Sequence, residues 1–349
     1  MNKLTKVGCS ALCGSLAAIS AANAGELTVT GGADMTWVSK SGAVTGNPIG
    51  IGSNFSLKGS GELDNGWTYD LTIANTNAGA FSAANIGITM GGLGKLNVNQ
   101  GDSGNGIAAF DDKMPTAWEE SWGAGLTTGA RLALGSGAST NIQYTTPTMV
   151  GTTLTFTVAP DYGSSDTGDK TTGVTKDEND SSYDATININ PTLGTEILSG
   201  LNIFAAGAVI ERHENATNPE EDKYEAVGGI TFDLGPVSLG TQWTGEYTGD
   251  EQAADNIAYK SHAYGIAFNV NDDLSVSYGK WEQRKAGYGT PAEYNQGGEN
   301  DKLLSISSWQ AAYTMGGASI RIAETKADNA VWSAGTNTEA TTVSLGLAF

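Results

Sequence analysis

The chain has 349 residues, of which 38 are Asp or Glu and 18 are Lys or Arg, for a formal charge of −20. That sign disfavours nucleic acid as a partner, because phosphate contacts need Lys and Arg. The only cysteines are Cys9 and Cys13. Both fall in the leader described next, so the rest of the chain has no disulfide, no thiol nucleophile and no Cys-ligated metal.

Lys3 and Lys6 precede an apolar run from Val7 to Ile19, which ends in Ala22-Asn23-Ala24. A charged start, an apolar middle and an A-x-A ending predict a secretory signal peptide over 1–24, cut before Gly25. A membrane anchor is disfavoured, since it needs about 20 apolar residues. Loss of the leader moves the formal charge to −22, with 16 Lys and Arg against 38 acids.

Alternation then begins. Leu27, Val29, Ala33, Met35 and Trp37 share one face, with Thr28, Thr30, Asp34 and Thr36 on the other. Phe55, Leu57 and Leu63 oppose Ser56, Lys58 and Glu62, and Asp64-Asn65-Gly66 leads into Trp67, Tyr69, Leu71 and Ile73. Asn-Gly between alternating segments is a strong hairpin signal. The pattern breaks from Gly101 to Ser139, a stretch too long for an ordinary connection and therefore expected to be functional. It resumes at Ile142 and Tyr144 and runs to Val343, Leu345, Leu347 and Phe349, for about sixteen segments in all. Within it the strict alternation fails once, at Ile203–Ile210, where Phe204, Ala206, Ala208 and Ile210 take the polar parity. Two explanations stand: an apolar patch under a loop, or a shifted register.

Connections between segments alternate in kind. Tight ones (64–66, 91–94, 147–151, 235–236, 271–273, 316–317) take turns with long polar ones (39–54, 101–139, 161–181, 212–222, 248–256, 285–302, 327–337). A soluble sandwich has no reason to sort its loops this way. A transmembrane β-barrel does, with short periplasmic turns, long external loops, an apolar outward face and a polar lumen. Trp37, Trp67, Tyr69, Trp243, Tyr313 and Phe349 lie near strand ends on the outward parity, where interfacial girdles are expected. The predicted fold is all-β: a closed antiparallel barrel over 25–349 with both ends at the short-turn rim.

In this order the pieces resemble the general porins of Gram-negative outer membranes: the A-x-A leader, Glu62-Leu-Asp-Asn-Gly-Trp67 at the first tight turn, Asn141-Ile-Gln-Tyr-Thr-Thr-Pro147 after the long loop, and Leu345-Gly-Leu-Ala-Phe349 at the end. The resemblance implies an outer-membrane homotrimer of sixteen-stranded barrels, set among outer-membrane lipid and lipopolysaccharide. It also implies that the terminal Phe349 is read as an assembly signal by the barrel-assembly machinery. The third external loop, here 101–139, is then expected to fold into the lumen and constrict the pore.

The candidate site follows. Asp102, Asp111, Asp112, Glu119 and Glu120 crowd the constricting loop, and Lys58, Arg131 and Arg321 are expected on the pore wall opposite. That basic set is thin for such a porin. The expected function is a passive channel for small hydrophilic solutes, mildly cation-selective, with no cofactor. Asp166, Asp169, Asp177 and Asp180 could gather a hard cation such as Ca²⁺, although a solvated acidic loop is the better explanation of them. His213 and His262 lie far apart, and no Ser, Asp and His constellation points to an enzyme. Two other readings stand beside the diffusion channel: a substrate-selective barrel of the same architecture, and a surface adhesin working through its external loops.

Overall fold

The computed structural model describes residues 24–41, 48–77, 83–102, 104–163, 179–191, 198–212, 221–249, 256–287 and 302–348. Among these lie sixteen strands: β1 (Ala24–Ser41), β2 (Ile49–Glu62), β3 (Thr68–Thr76), β4 (Ala83–Thr89), β5 (Lys95–Gln100), β6 (Asn141–Thr145), β7 (Thr152–Ala159), β8 (Asn179–Ile189), β9 (Leu201–Arg212), β10 (Lys223–Leu234), β11 (Val237–Tyr247), β12 (Asn256–Asn269), β13 (Leu274–Gly287), β14 (Leu304–Met315), β15 (Ala318–Asp328) and β16 (Thr338–Ala348). Each pairs antiparallel with its sequence neighbours, and β1 pairs with β16 from Gly32↔Ala348 to Ser41↔Glu339, which closes the barrel. Residues 1–23 of the leader expected over 1–24, and the terminal Phe349, lie outside the described residues; Ala24 already belongs to β1.

Closure leaves no free edge, as a lipid-embedded sheet requires. Leu27, Val29, Met35, Leu71, Ile73, Phe156, Ile266, Ile320 and Leu345 all stand exposed on the outer surface. Their sequence neighbours turn inward, because side chains alternate with period two. The Asp64–Gly66 hairpin shows how local chemistry fixes a turn. Gly66 adopts φ +81°, its N–H donates to the Leu63 carbonyl at 2.8 Å, and Asn65 Oδ1 accepts from Trp67 N–H at 3.1 Å.

Two connections depart from the sorting of loop lengths. On the short-turn rim β8 and β9 are joined through residues 190–200, of which 192–197 lie outside the described residues. On the opposite rim β3 and β4 are joined by the short 77–82 link. Strand lengths also vary around the wall: β4, β5 and β6 have 7, 6 and 5 residues, whereas β9 to β16 have 11 to 14.

The buried core lies inside the barrel, between the wall and residues 101–139. Phe204, Ala208 and Ile210 face inward and are buried, and Phe204 stacks on Phe110 of the loop with ring centroids 5.1 Å apart. The broken alternation at Ile203–Ile210 is therefore an apolar patch under a loop, with the register intact: Gly229↔Phe204 and Ile230↔Ile203 follow in step.

Candidate pore constriction

Residues 101–139 run out along the inner wall and come back. On the outward pass Gly106 N–H donates to Gln143 Oε1 (3.0 Å), Ile107 N–H to Asp184 (3.0 Å), Lys113 N–H to Gln242 Oε1 (3.0 Å) and Ala117 N–H to Ser277 Oγ (2.8 Å). The pass ends at Gln310, whose Oε1 accepts from Trp118 and Glu119 N–H at 3.2 and 2.9 Å while its amide donates to the Glu119 carbonyl at 2.6 Å. Coming back, Arg131 exchanges two hydrogen bonds with the Gln283 amide, both 2.8 Å. Leu134 and Gly135 N–H donate to Glu225 (2.9 and 2.8 Å), and Ser136 N–H and Oγ–H to Asp184 (3.0 and 2.8 Å). The loop thus leans on β6, β8, β10, β11, β13 and β14 by backbone amides that a helix or sheet would otherwise satisfy. The return pass lies nearer the long-loop rim, since it meets β13 at Gln283 where the outward pass meets it at Ser277.

Packing reinforces these bonds. Ile107, Phe110 and Ala133 pack on Phe204, Ala208 and Val227, while Met114 and Leu126 join Trp281, Leu304 and Ile306 on the wall. Where the loop backbone approaches closely, the wall has glycine. A Cβ on Gly240 would come 2.6 Å from Pro115 Cδ, and one on Gly265 2.8 Å from the Pro115 carbonyl oxygen. The return pass also rests on an ion network whose two carboxylates are buried while Arg131 stays half exposed. Arg131 meets Glu246 at 3.1 Å, Lys223 meets Glu246 at 3.1 Å and Glu225 at 2.6 Å, and Glu225 in turn receives the loop's amides.

The carboxylates expected at the site divide. Asp102 stands at the loop's root and accepts from Gly104 N–H at 3.4 Å. Asp111, Asp112, Glu119 and Glu120 come together and act on one another. Burial raises the Asp111 carboxyl, opposed by the Asp112 N–H and supported by Glu120. Glu119 is raised by burial and by Glu120, with Arg321 pulling the other way. Asp112 is pushed up to about 7, first by burial and then by Glu120 and Asp111, although Met114 N–H donates to its Oδ1 at 2.8 Å. Its Oδ2 is buried away from water, which favours the protonated acid, while the Trp122 side chain pulls the other way.

Three corrections concern the bases. Arg131 is not on the wall: it belongs to the loop, with its guanidinium 5.1 Å over the Tyr259 ring and on the wall carboxylate Glu246. Lys58 does not face the acids at Arg321's level. It sits opposite Thr28, six residues from Asp34 toward the β2–β3 turn, roughly 20 Å along the strand at about 3.3 Å per residue. Arg321 does meet the loop, 5.5 Å over the Trp118 ring, but it also pairs with Asp34. Inward-facing Lys95, paired with Asp70 at 2.9 Å, and Lys223 were missed by sequence reasoning. The thin basic set is therefore larger than expected, and Lys95, Lys223 and Arg321 are paired with acids.

Of the four acids considered for Ca²⁺, Asp166, Asp169 and Asp177 lie outside the described residues. Asp180 accepts from Tyr162 N–H through its carbonyl at 2.8 Å. Among the described residues no group of three His, Cys, Asp or Glu could hold a metal ion. His213 is also outside them, and His262 stacks on Trp243 at 4.9 Å on the outer surface, its Nε2 2.9 Å from Thr241 Oγ1.

A closed sixteen-stranded barrel with an inward-folded third loop has a counterpart among known families. The family model described as Gram-negative porin matches residues 8–349. The chain belongs to the Gram-negative porin family. Its fold recurs in OmpF of Salmonella typhi in complex with daunomycin (TM-score 0.67, 12% identity, 93% of this chain and 98% of that one). It recurs in the anion-selective porin of Comamonas acidovorans (0.60, 14%, 93% and 99%) and in OmpT, an outer membrane protein of Vibrio cholerae, in its trimer form (0.58, 10%, 94% and 100%). No curated protein matches in sequence. The porin is thus an outer-membrane channel protein, and its identity to these structures is low enough that they speak for fold alone.

The porin's anchoring residues carried a faint signal in the sequence. Gln242, Gln283 and Gln310 are buried on the inward parity of their strands. A large amide on a lumen face is unremarkable alone, but burial demands that it satisfy a neighbour.

Proposed function

We propose that this porin is a passive, water-filled diffusion channel for small hydrophilic solutes and ions, with a mild cation preference set at the constriction. The observation that carries the reading is the cluster of Asp111, Asp112, Glu119 and Glu120 on an inward loop pinned to one side of the barrel. Beside it, the nearest wall base, Arg321, is already compensated by Asp34. Carboxylates beside a narrow aqueous passage walled by low-dielectric protein concentrate cations. One structural neighbour is named as anion-selective, so the fold does not set the sign; local charges do. The test is the reversal potential across a salt gradient in a planar bilayer. Replacing the four acids with Asn or Gln should lower the cation-over-anion permeability, and neutralising Asp166, Asp169, Asp177 and Asp180 should do much less. Equal shifts would remove the constriction from 101–139, and a saturable block by one solute would replace diffusion with selective transport.

The porin works in this reading as a homotrimer. Spanning lipid takes a tilted strand of about 9–11 residues, and β4, β5 and β6 fall short at 7, 6 and 5. Their outward Ile86, Leu96, Val98 and Ile142 are exposed on the single chain, and a second copy would cover that low wall. Phe349 then serves as the assembly signal, and its deletion should lower outer-membrane assembly in cells more than folding in vitro.

A further inference from the structure

The last external loop holds an unusual piece of backbone. Asn329, Val331 and Trp332 adopt φ of +54°, +50° and +55°. Asn reaches this left-handed region readily, but a β-branched valine there is an outlier that surrounding contacts must hold. Val331 is exposed, whereas Trp332 beside it is 8% exposed, so the stretch trades an awkward valine for a buried tryptophan.

The contacts that hold it reach the constricting loop. Val331 N–H donates to the Thr128 carbonyl at 2.9 Å, and Gly129 is so close that a Cβ there would lie 2.8 Å from Val331 Cγ1. Trp332 Nε1–H donates to the Gln283 carbonyl at 3.2 Å, on the residue whose side chain grips Arg131 N–H and carbonyl. The Trp332 ring also tilts against Tyr259 at 5.3 Å, and the Arg131 guanidinium sits over that same ring. One indole therefore presses on both the wall and the ring that seat the return pass.

We propose that Trp332 is a positioning residue for the constriction: it seats the strained turn 329–332 over Thr128–Gly129 and so fixes the return pass of 101–139 against the wall. The proposal rests on the reading of 101–139 as the constriction. Trp332 acts on the return pass through Val331, Gln283 and Tyr259. Removing the indole leaves the turn free to relax from its left-handed backbone, and the return pass loses its cover at Thr128–Arg131 while the anchors at Glu225 and Asp184 remain.

The experiment is single-channel recording of Trp332→Ala and Trp332→Phe in planar bilayers, with barrel folding checked by heat-dependent gel mobility. Trp332→Ala should raise mean conductance and add frequent excursions between sublevels. Trp332→Phe, which keeps ring contact with Tyr259 but loses the bond to Gln283, should fall between it and the native channel. A reversible tether separates positioning from general damage. Built on Gly129, a Cβ lies 3.5 Å from Val331 Cβ, at the short end of the disulfide range of about 3.5–4.5 Å; both positions have left-handed backbone, with φ +80° and +50°, so the reduced double-cysteine protein is the reference for the oxidised one. Gly129→Cys with Val331→Cys, oxidised by copper phenanthroline in either Trp332 variant, should quiet the current, and reduction should restore the excursions. Should Trp332→Ala fail to assemble, Trp332→Phe with and without the tether carries the same test. Native currents in the Trp332 variants, or excursions that the tether leaves unchanged, overturn the proposal. If the four-acid variant shifts the reversal potential in that same series, the constriction reading survives its loss; if it does not, both readings fall together.

Discussion

Asp112 is the acid whose charge changes nearest physiological pH, so the constriction should carry a pH-dependent selectivity with a midpoint of about 7. The sign follows from the direction of the shift. A carboxyl raised above its unfolded value is protonated below about 7 and gains charge as pH rises through it. Its ionisation therefore opposes seating of the loop at high pH while adding a negative charge to the passage. The size can be bounded. One charge acting on an ion about 8 Å away in water is worth about 0.5 kcal/mol, and screening over about 8 Å at physiological salt cuts this to about 0.2 kcal/mol. At about 1.4 kcal/mol per factor of ten, cations gain and anions lose about 1.4-fold each, so the permeability ratio changes about twofold.

Reversal potentials should be recorded from about pH 5.5 to about 8.5, roughly one and a half units either side of the midpoint. The wild-type cation-over-anion ratio should climb about twofold across that range, within the bound set by Coulomb energy and screening. Asp112→Asn should hold the ratio near its acid-side value and remove the inflection near neutrality. A step of unchanged size and midpoint in Asp112→Asn, or a wild-type ratio that falls with pH, would refute the assignment of Asp112 to the passage.

Two further outcomes test the architecture. Leu71→Arg, on the outward face of β3, should cost roughly 2–4 kcal/mol if it lies near the bilayer midplane, whereas Thr72→Arg, next to it on the lumen face, should be nearly neutral; equal loss of folded barrel on heat-dependent gels would invert inside and outside. Phe204→Ala removes the ring that stacks on Phe110 and should cost about 3–5 kcal/mol locally, seen as conductance noise in a barrel of near-native heat resistance; a quiet channel of native conductance would mean that the patch does not hold the loop.

The barrel was legible because lipid imposes one rule on every strand. The outward face must be apolar, so Leu27 to Trp37, Trp67 to Ile73 and Val343 to Leu347 each spell a period of two. The loop was legible as an interruption, and four of its five acids act on one another's protonation through their charges. What stayed hidden depends on contacts across the lumen. Whether Phe204 is misaligned or covered is decided by Phe110, ninety-four residues earlier. Whether Arg131 serves the wall or the loop is decided by Glu246. Inward parity did not mean water either: Ser344 faces the lumen yet is 1% exposed, so the rule that equates lumen with solvent fails wherever the loop or Arg321 lies against the wall.

That failure has a consequence for electrostatics. The loop is anchored on β6, β8, β10, β11, β13 and β14, and in the proposed channel the permeant path takes what remains of the lumen. Asp184, Glu225 and Glu246 spend their charge under the loop, on amides and on Lys223 and Arg131. A formal charge of −20 on the chain is then a poor guide to the field that an ion meets. The charges that count are few: four loop carboxylates, of which Asp111, Asp112 and Glu119 are raised, Lys113 beside Asp111, Arg321 tied to Asp34, Lys95 tied to Asp70, and Lys58 lower down. With the wall bases largely compensated, each loop carboxylate that ionises moves the balance by a full unit, which is why a single acid poised near neutrality can tune a channel this acidic.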